Sequence, residues 1–587
     1  MLSTGRLTDL QFYLSLLVLF LLAVQPMGIF AIDLQSHGSG IKPGTMADQR
    51  AVQVMSRLTF GARIGDLEQI KKQGVQAYIA QQLSPDSIDD SALQKRLDKL
   101  PTLNLSNPTI AEQYNPPKPV QTPTPAARTG EVATGGSVMP EPTATPTPTV
   151  SPTPTPKPTP TPKNPGMVVN ELQRAKLMRA VYSERQLYEV MVDFWENHFS
   201  IFANKDADRL LLTGFDRDSV RPFALGRFRD LLGATAHSPA MLFYLDNWQS
   251  SVVRNYPATK DKPARSTGGI NENYARELME LHTLGVGGGY TQKDVQEVAR
   301  CFTGWTIRKP NEEGIFYYNP AQHDNGEKVV LGQKIPAGGG IADGERVLDI
   351  LAKSPATAKF VVTKMARRFV GDNPPQALID RAATIFLRTD GSITETLRSI
   401  VTSPEFFGAG SFQTKVKSPF EYVASALRIT NAETDANSPV LGWISRMGQP
   451  VYGHVTPDGY PDKNSGWLSN NDLLARFNFA VALMGNTIKG TKVDVNKLLP
   501  ASGNDNNLVA QVTHTFLIVL PSVETRAALE KLVADMRPPA PTTAAPTALP
   551  ASATQWTART VSADDSRQKL AAQLVALALG SPEFQRK

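Results

Sequence analysis

The chain has 587 residues, 41% of them apolar and 20% charged, with 45 prolines, one cysteine and a net charge of +6. That is too long for one ordinary hydrophobic core. A lone cysteine excludes an intramolecular disulfide and a cysteine-built zinc site, and no Lys/Arg run is dense enough for a nucleic-acid footprint, so nucleic acid is not an expected partner.

Residues 12–24, FYLSLLVLFLLAV, have the length of a signal-peptide core and are short for a membrane span. Arg6 gives a weakly positive start, Gln25 and Pro26 end the run, and Ala31 suits a cleavage point although Ile29 is large for its place. Residues 1–31 are therefore expected to be a signal peptide or, uncleaved, an anchor tethering the chain to a membrane through residues 12–31. Either places the protein outside the cytoplasm: secreted, periplasmic or membrane-anchored.

Residues 46–112 read as helices, with Gly74 and Pro85 as breaks. Residues 113–166 are mostly Pro and Thr, as in PTATPTPTVSPTPTPKPTPTPKNPG, which forbids helix and predicts a disordered, extended linker. Its densest 20 residues would reach roughly 60 Å as polyproline II. Residues 167–536 return to helical periodicity. Leu187, Val190, Met191, Phe194, Trp195 and Phe199 form a wide apolar stripe, as on a helix buried on more than one side. Thr291 and Asp294 fit a capping box, and Cys301 reads as a buried small residue. One small β-hairpin is expected between residues 310 and 340, IFYY pairing with KVVL about an Asn325-Gly326 turn. Lys364, Arg367 and Arg368 form a basic helix face, read as solvated or paired with Asp372. A second Pro/Ala/Thr-rich linker covers 537–556, and 557–587 hold a last helix. Ser-Pro-Glu-Phe closes an apolar helix twice, at residues 403–406 and 581–584. The fold class is mainly α: a large multi-helix domain with a small β-hairpin excursion and two disordered Pro-rich inserts.

Several segments carry a resemblance. They are RLTFGAR at 57–63, DFWENHF at 193–199, HSPAMLFYLDN at 237–247, NENYARELMELHTLGVGGGYTQKDVQEVARCFTGWTI at 271–307, HDNGEKVVLG at 323–332, and a Gly-Gln-Pro to Gly-Trp region at 447–467. In this order they resemble the bacterial domain-of-unknown-function 1800 family over about residues 55–585. The first insert then splits one family domain. The resemblance implies a mostly helical exported protein, often encoded beside another uncharacterised exported protein, and supplies no substrate or catalytic residue.

His198 and His282 have no second metal ligand on their own helices. A metal site would need separate elements, such as His198, His323 and Asp324 with Glu196 or Glu277; the plain alternative is histidines filling polar gaps. Glu277 and His282 are the candidate catalytic pair, because a half-buried carboxyl can serve as acid or base; the plain alternative is an ion pair with an arginine such as Arg300. Gly287-Gly288-Gly289 is no phosphate loop and no organic-cofactor site is expected; a divalent metal is the one cofactor considered. Residues 452–467, YGHVTPDGYPDKNSGW, fail as a calcium loop, but Tyr452, His454, Tyr460 and Trp467 are candidates for a binding loop that stacks on sugar rings or simply plugs the core. Two classes remain. The favoured one is a non-catalytic envelope or extracellular binding or assembly protein whose partner is another exported protein or a polysaccharide. The alternative is a metal-assisted hydrolase of a cell-envelope or extracellular polymer.

Residues 115–165 hold too little apolar surface to offset the entropy of ordering them. Limited proteolysis is expected to cut there first and leave the helical body whole; protection of this stretch would refute the linker assignment.

Overall fold

Five short helices open the computed structural model, which describes residues 46–115, 163–260, 263–499, 507–536 and 563–587. The signal-peptide or anchor run and nearly all of both Pro-rich inserts lie outside the described residues. The opening helices run Met46–Leu58, Asp66–Gln73, Val75–Gln82, Ser91–Leu97 and Asn107–Tyr114. The first four share one apolar core with the helices after the first insert, and Asn107–Tyr114 packs Ile110 and Tyr114 into a separate small cluster with Val168 and Leu210. The RLTFGAR residues show how. Phe60 N–H donates to Gln186 Oε1 at 2.9 Å and the Phe60 ring meets Phe420 edge-on at 5.5 Å. Gly61 sits at φ +112°, and a Cβ there would come within 2.5 Å of Ser425 Cβ, so only glycine allows this approach.

Helices Gly166–Tyr182 and Gln186–His198 lie at the centre. The second buries Leu187, Val190, Met191, Phe194 and Trp195, the wide stripe of a helix covered on several sides. Pro419–Ile429 packs on the first of them, Asn470–Met484 packs on Pro419–Ile429 and on Ala563–Gly580, and these helices share one apolar core with Pro355–Phe369. The final residues run antiparallel to 415–417: Lys587 N–H donates to Lys415 O at 2.8 Å and Lys417 N–H to Gln585 O at 2.9 Å. Each Ser-Pro-Glu-Phe repeat starts a short helix. Ser403 Oγ accepts from Phe406 N and Ser581 Oγ from Phe584 N, with both phenylalanines buried. Among the described residues no helix is long and apolar enough to cross a membrane.

The architecture is mainly α, and every sheet among the described residues is a two-stranded ribbon. β1 (Ser251–Tyr256) pairs with β2 (Arg265–Gly269), β3 (Trp305–Arg308) with β4 (Ile315–Tyr318), β5 (Lys328–Val330) with β6 (Gln333–Ile335), and β7 (Glu433–Thr434) with β8 (Thr491–Lys492). This corrects the expected hairpin. IFYY does not pair with KVVL; each has its own neighbour in sequence. Trp305, buried after the Gln292–Cys301 helix, brings β3 beside β4, with Trp305 opposite Tyr318. The tight turn lies at Leu331-Gly332, both at positive φ (+48° and +75°), as a type I′ turn requires. Asn325-Gly326 instead follows an Asx turn in which Gly326 N–H donates to Asp324 Oδ1 at 2.8 Å.

The Thr291 capping box is present, and Asp294 extends it. Its Oδ2 accepts from Thr291 N–H at 2.9 Å, while Oδ1 accepts from Leu331 N–H at 2.8 Å in the β5–β6 turn. Thr291→Ala is expected to cost about 1 kcal/mol by losing the cap. Asp294→Ala should cost more, about 2 kcal/mol, because it also frees the hairpin. Urea midpoints measure both, and equal losses would show that the tie to Leu331 carries no stability.

Candidate functional site

The end of helix Gln186–His198 and its C-cap Phe199 present five consecutive side chains, and each is used differently. Trp195 Nε1 donates to Ala224 O at 2.9 Å, inside the core. Glu196 Oε2 accepts from Lys176 Nζ at 2.8 Å, and its Oε1 accepts from Tyr452 Oη at 2.8 Å. Asn197 clasps Tyr460, donating through Nδ2 to the carbonyl at 3.0 Å and accepting the N–H at 2.7 Å. His198 Nε2 reaches His282 O at 3.0 Å. Phe199 lies 5.0 Å from the His282 ring.

Glu196 and Asn197 thereby hold the 447–467 loop over the helix. Between helix, loop and the 415–421 segment lies a cleft of about 110 Å³ lined by charged side chains. All four binding-loop candidates line it: Tyr452, His454, Tyr460 and Trp467. They are not an open stacking platform. Trp467 is buried, its ring 6.0 Å from Tyr460, whose hydroxyl donates to Pro450 O at 2.6 Å; His454 packs 4.7 Å from Tyr460 and pairs with Asp458. The loop is a folded wall whose inner face is polar. Tyr452 sits at φ +55°, unusual for a bulky residue, and is held there by its own bond to Glu196 and by Ala203 N–H donating to its carbonyl at 3.0 Å. At Gly459 (φ +74°) a Cβ would fall 2.2 Å from Asn197 O, so glycine is required where the loop crosses the helix end.

The electrostatics are strongly perturbed. Lys176 Nζ lies 2.8 Å from both Asp193 and Glu196, one helical turn apart. Burial alone would lower its pKa, but the two carboxylates raise it, so Lys176 stays charged. Burial pushes Glu196 up to about 7, Lys176 opposes this, and Asp216 behind it adds to the rise. Asp193 goes the other way: Lys176 and Arg368 overcome burial and lower it. Two carboxyls on one helix are thus driven apart in proton affinity, as at sites that handle protons. Arg368, from the supposed solvated face, turns inward instead to Glu421 and toward Asp193; Asp372 takes Lys415 at 2.7 Å, and Lys364 faces Asp462 at 3.6 Å. Its burial and the carboxylates across the cleft explain that departure.

The histidine and acid candidates form separate groups. His198 and His282 do meet, their rings 6.2 Å apart and both buried. Burial first, then the Lys364 cation, lowers both, with His282 pushed down to about 3, so the pair is neutral. His323 is held elsewhere, Nδ1 against Thr303 O at 2.8 Å and Nε2 against Asp343 at 3.1 Å, with Lys328 on the same carboxylate at 2.5 Å. Asp324 pairs with Arg300 at 2.8 Å. Glu277 is half-exposed and raised by burial and by Glu280; the arginine suggested for it, Arg300, binds Glu297 and Asp324 instead. No hydrogen bond, ion pair or ring contact among the described residues joins His323 or Asp324 to His198, His282 or Glu277. Nor do three or more His, Cys, Asp or Glu side chains converge there on a point that could hold a metal ion. His323 and Asp324 find their partners on nearby segments, whereas His198 Nδ1 and His282 Nε2 are buried without a hydrogen-bond partner among the described residues. Cys301 is buried and its thiol pushed up to about 12, as a core residue.

The cleft residues Lys176, Asp193, Arg368, Lys415 and Glu421 were not among the sequence candidates. A signal existed: Asp193, Glu196 and Lys176 interrupt apolar helix faces, where an unpaired charge is too costly to keep.

A multi-helix body with a charged cleft under a folded loop is the class these features define. Residues 53–586 match the family described as "Protein of unknown function (DUF1800)", and the chain belongs to it. No curated protein and no solved structure matches.

Glu196 gives a pH test. Below about 4.5, its ordinary value, the carboxyl is protonated in folded and unfolded chains alike. Between there and about 7 the unfolded chain ionises first, so the folded state binds more protons and loses stability as pH rises. Relative to Glu196→Gln, the wild type should lose roughly 1 kcal/mol per pH unit across that window. Denaturation at pH 5, 6 and 7 measures it, and a difference independent of pH would mean that Glu196 is not raised.

Proposed function

We propose that this protein acts outside the cytoplasm as a non-catalytic binding or assembly protein, and that the cleft under the 447–467 loop receives a small polar group of its ligand. The observation that carries this is convergence. DFWENHF, the Arg368 helix and the 447–467 loop are far apart in sequence, yet all contribute to one polar cleft. A purely structural ion network has no need of an opening, a left-handed tyrosine or a glycine fitted against Asn197. The apolar run at residues 12–24 supports export, and the Pro/Thr segment suits a spacer that lets the helical body reach a surface. The partner is another exported protein or a polysaccharide, presenting an end that fits about 110 Å³.

A second reading, hydrolysis of an envelope or extracellular polymer, draws on Glu196 and its neighbour Asp193. A carboxyl near 7 beside an ionised Asp193 has the proton affinities of an acid–base pair. It would require turnover that Glu196→Gln abolishes.

Two measurements test the leading reading. Residues 1–45 fused to a phosphatase active only outside the cytoplasm should give active enzyme; an inactive, cytoplasmic fusion would refute export. The purified protein, titrated with a panel of neutral sugars and small acids, should show a saturable change in tryptophan fluorescence with at least one of them. Tyr452→Ala should remove that change. No saturation with any member would count against the cleft as a ligand site.

A further inference from the structure

Arg368 is incompletely partnered. Its Nη1 donates to Glu421, its Nη2 lies 3.9 Å from Asp193 Oδ2, beyond hydrogen-bond reach, and Nε and Nη2 are buried with no hydrogen-bond partner. Two lysines crowd the same wall. Lys415 Nζ is held by Asp372 at 2.7 Å and by Asp462 O at 2.7 Å, and Lys587 Nζ by Glu421. Arg57 stands behind them, donating to Ser411 O through Nη2 while its own Nε and Nη1 lack partners. Beyond burial, these cations repel one another: Arg57 and Arg368 depress Lys415, and all three depress Lys587.

Arg368, Lys415, Lys587 and Lys176 line the cleft together with the carboxylates of Asp193, Glu196, Glu421 and Asp462. The group left idle among them is a planar guanidinium, which matches the oxygen spacing of carboxylate and phosphate. A space of about 110 Å³ holds a few waters, at roughly 30 Å³ each, or one such group. Half-exposed His454 and Asp462 at its rim leave room for the rest of a larger molecule outside.

We propose that the cleft binds an oxyanion, the carboxylate or phosphate end of a larger extracytoplasmic molecule, with the Arg368 guanidinium as its fork. This rests on the cleft being the ligand site. The lining carboxylates are each paired with a cation: Glu421 with Arg368 and Lys587, Asp193 and Glu196 with Lys176, and Asp462 with Lys364 at 3.6 Å.

The test uses the full chain in chloride buffer at constant ionic strength, titrated separately with inorganic phosphate and with acetate. Unfolding temperature and tryptophan fluorescence are read. At least one anion should raise the unfolding temperature saturably, where equal chloride does not; the one that does so identifies the source as phosphate or carboxylate. Arg368→Gln, shown folded by circular dichroism, should bind about tenfold more weakly or worse. Arg368→Lys should lie between, having charge but no fork. Arg381→Gln, at an exposed pair with Glu405, should bind as wild type. Should neither Arg368 variant fold, phosphate or acetate must protect Arg368 of the wild type from phenylglyoxal, read by peptide mass. The proposal is overturned by no saturation with either anion up to about 50 mM (against the micromolar-to-millimolar range of ordinary ligand sites), by unchanged affinity in a folded Arg368 variant, or by absence of protection. A neutral sugar that saturates the cleft while both anions fail would overturn the oxyanion and leave the binding reading standing.

Discussion

A buried lysine between two carboxylates holds the centre of this fold. Lys176 leaves helix Gly166–Tyr182 and meets Asp193 and Glu196 on the next helix, beneath the faces of Phe420 and Tyr452 at 5.4 and 5.1 Å. Removing one member of such a cluster strands the others in low dielectric, at about 3–5 kcal/mol. Replacing the whole cluster by apolar residues would be tolerated far better, so stability alone gives no reason to keep it. Its arrangement fixes the relative setting of two helices and of the loop that Tyr452 carries. That is a positioning role, and it is the kind of role a binding cleft needs.

The five residues from Trp195 to Phe199 show how one helix turn serves several layers. Side chains three or four apart share a face. Trp195 and Phe199 therefore face the core together. Glu196 and Asn197 turn toward the loop, and His198 toward the segment carrying His282. His198 and His282 are neutral and enclosed, and His198 spends its one N–H on a backbone carbonyl. Charge and access to solvent are both found in the cleft instead.

Much of the architecture was legible in the sequence because it is local. Helical periodicity, the Thr291 box, the Gly74 break and the helix ends before each Ser-Pro-Glu-Phe depend on residues within a few positions of one another. The β-ribbons were misread for the opposite reason. Asn-Gly is a strong hairpin signal in isolation, yet burial of Trp305 decided which strand lay beside Ile315–Tyr318, and Leu331 accepted a positive φ that propensity would assign elsewhere. The aromatic loop was visible as composition. That its rings pack inward, leaving a polar inner face, depends on Asn197 more than 250 positions away.

Charged residues on apolar faces were the least legible feature and are the most informative. Arg368 on its helix looks like any surface arginine, because sequence does not say that Glu421 and Asp193 will stand opposite. Once placed, it can be judged by what a buried guanidinium requires: five donors, nearly all satisfied, and a compensating charge. Glu421 supplies part of that and Asp193 stands too far away for the rest. The His323–Asp343–Lys328 cluster offers the contrast. There every named polar contact is closed, the side chains of all three are almost wholly buried, and nothing is left to bind. The two clusters are built from similar residues. What separates a structural ion network from a candidate site is the donor left over beside an opening, and in this molecule that donor belongs to Arg368.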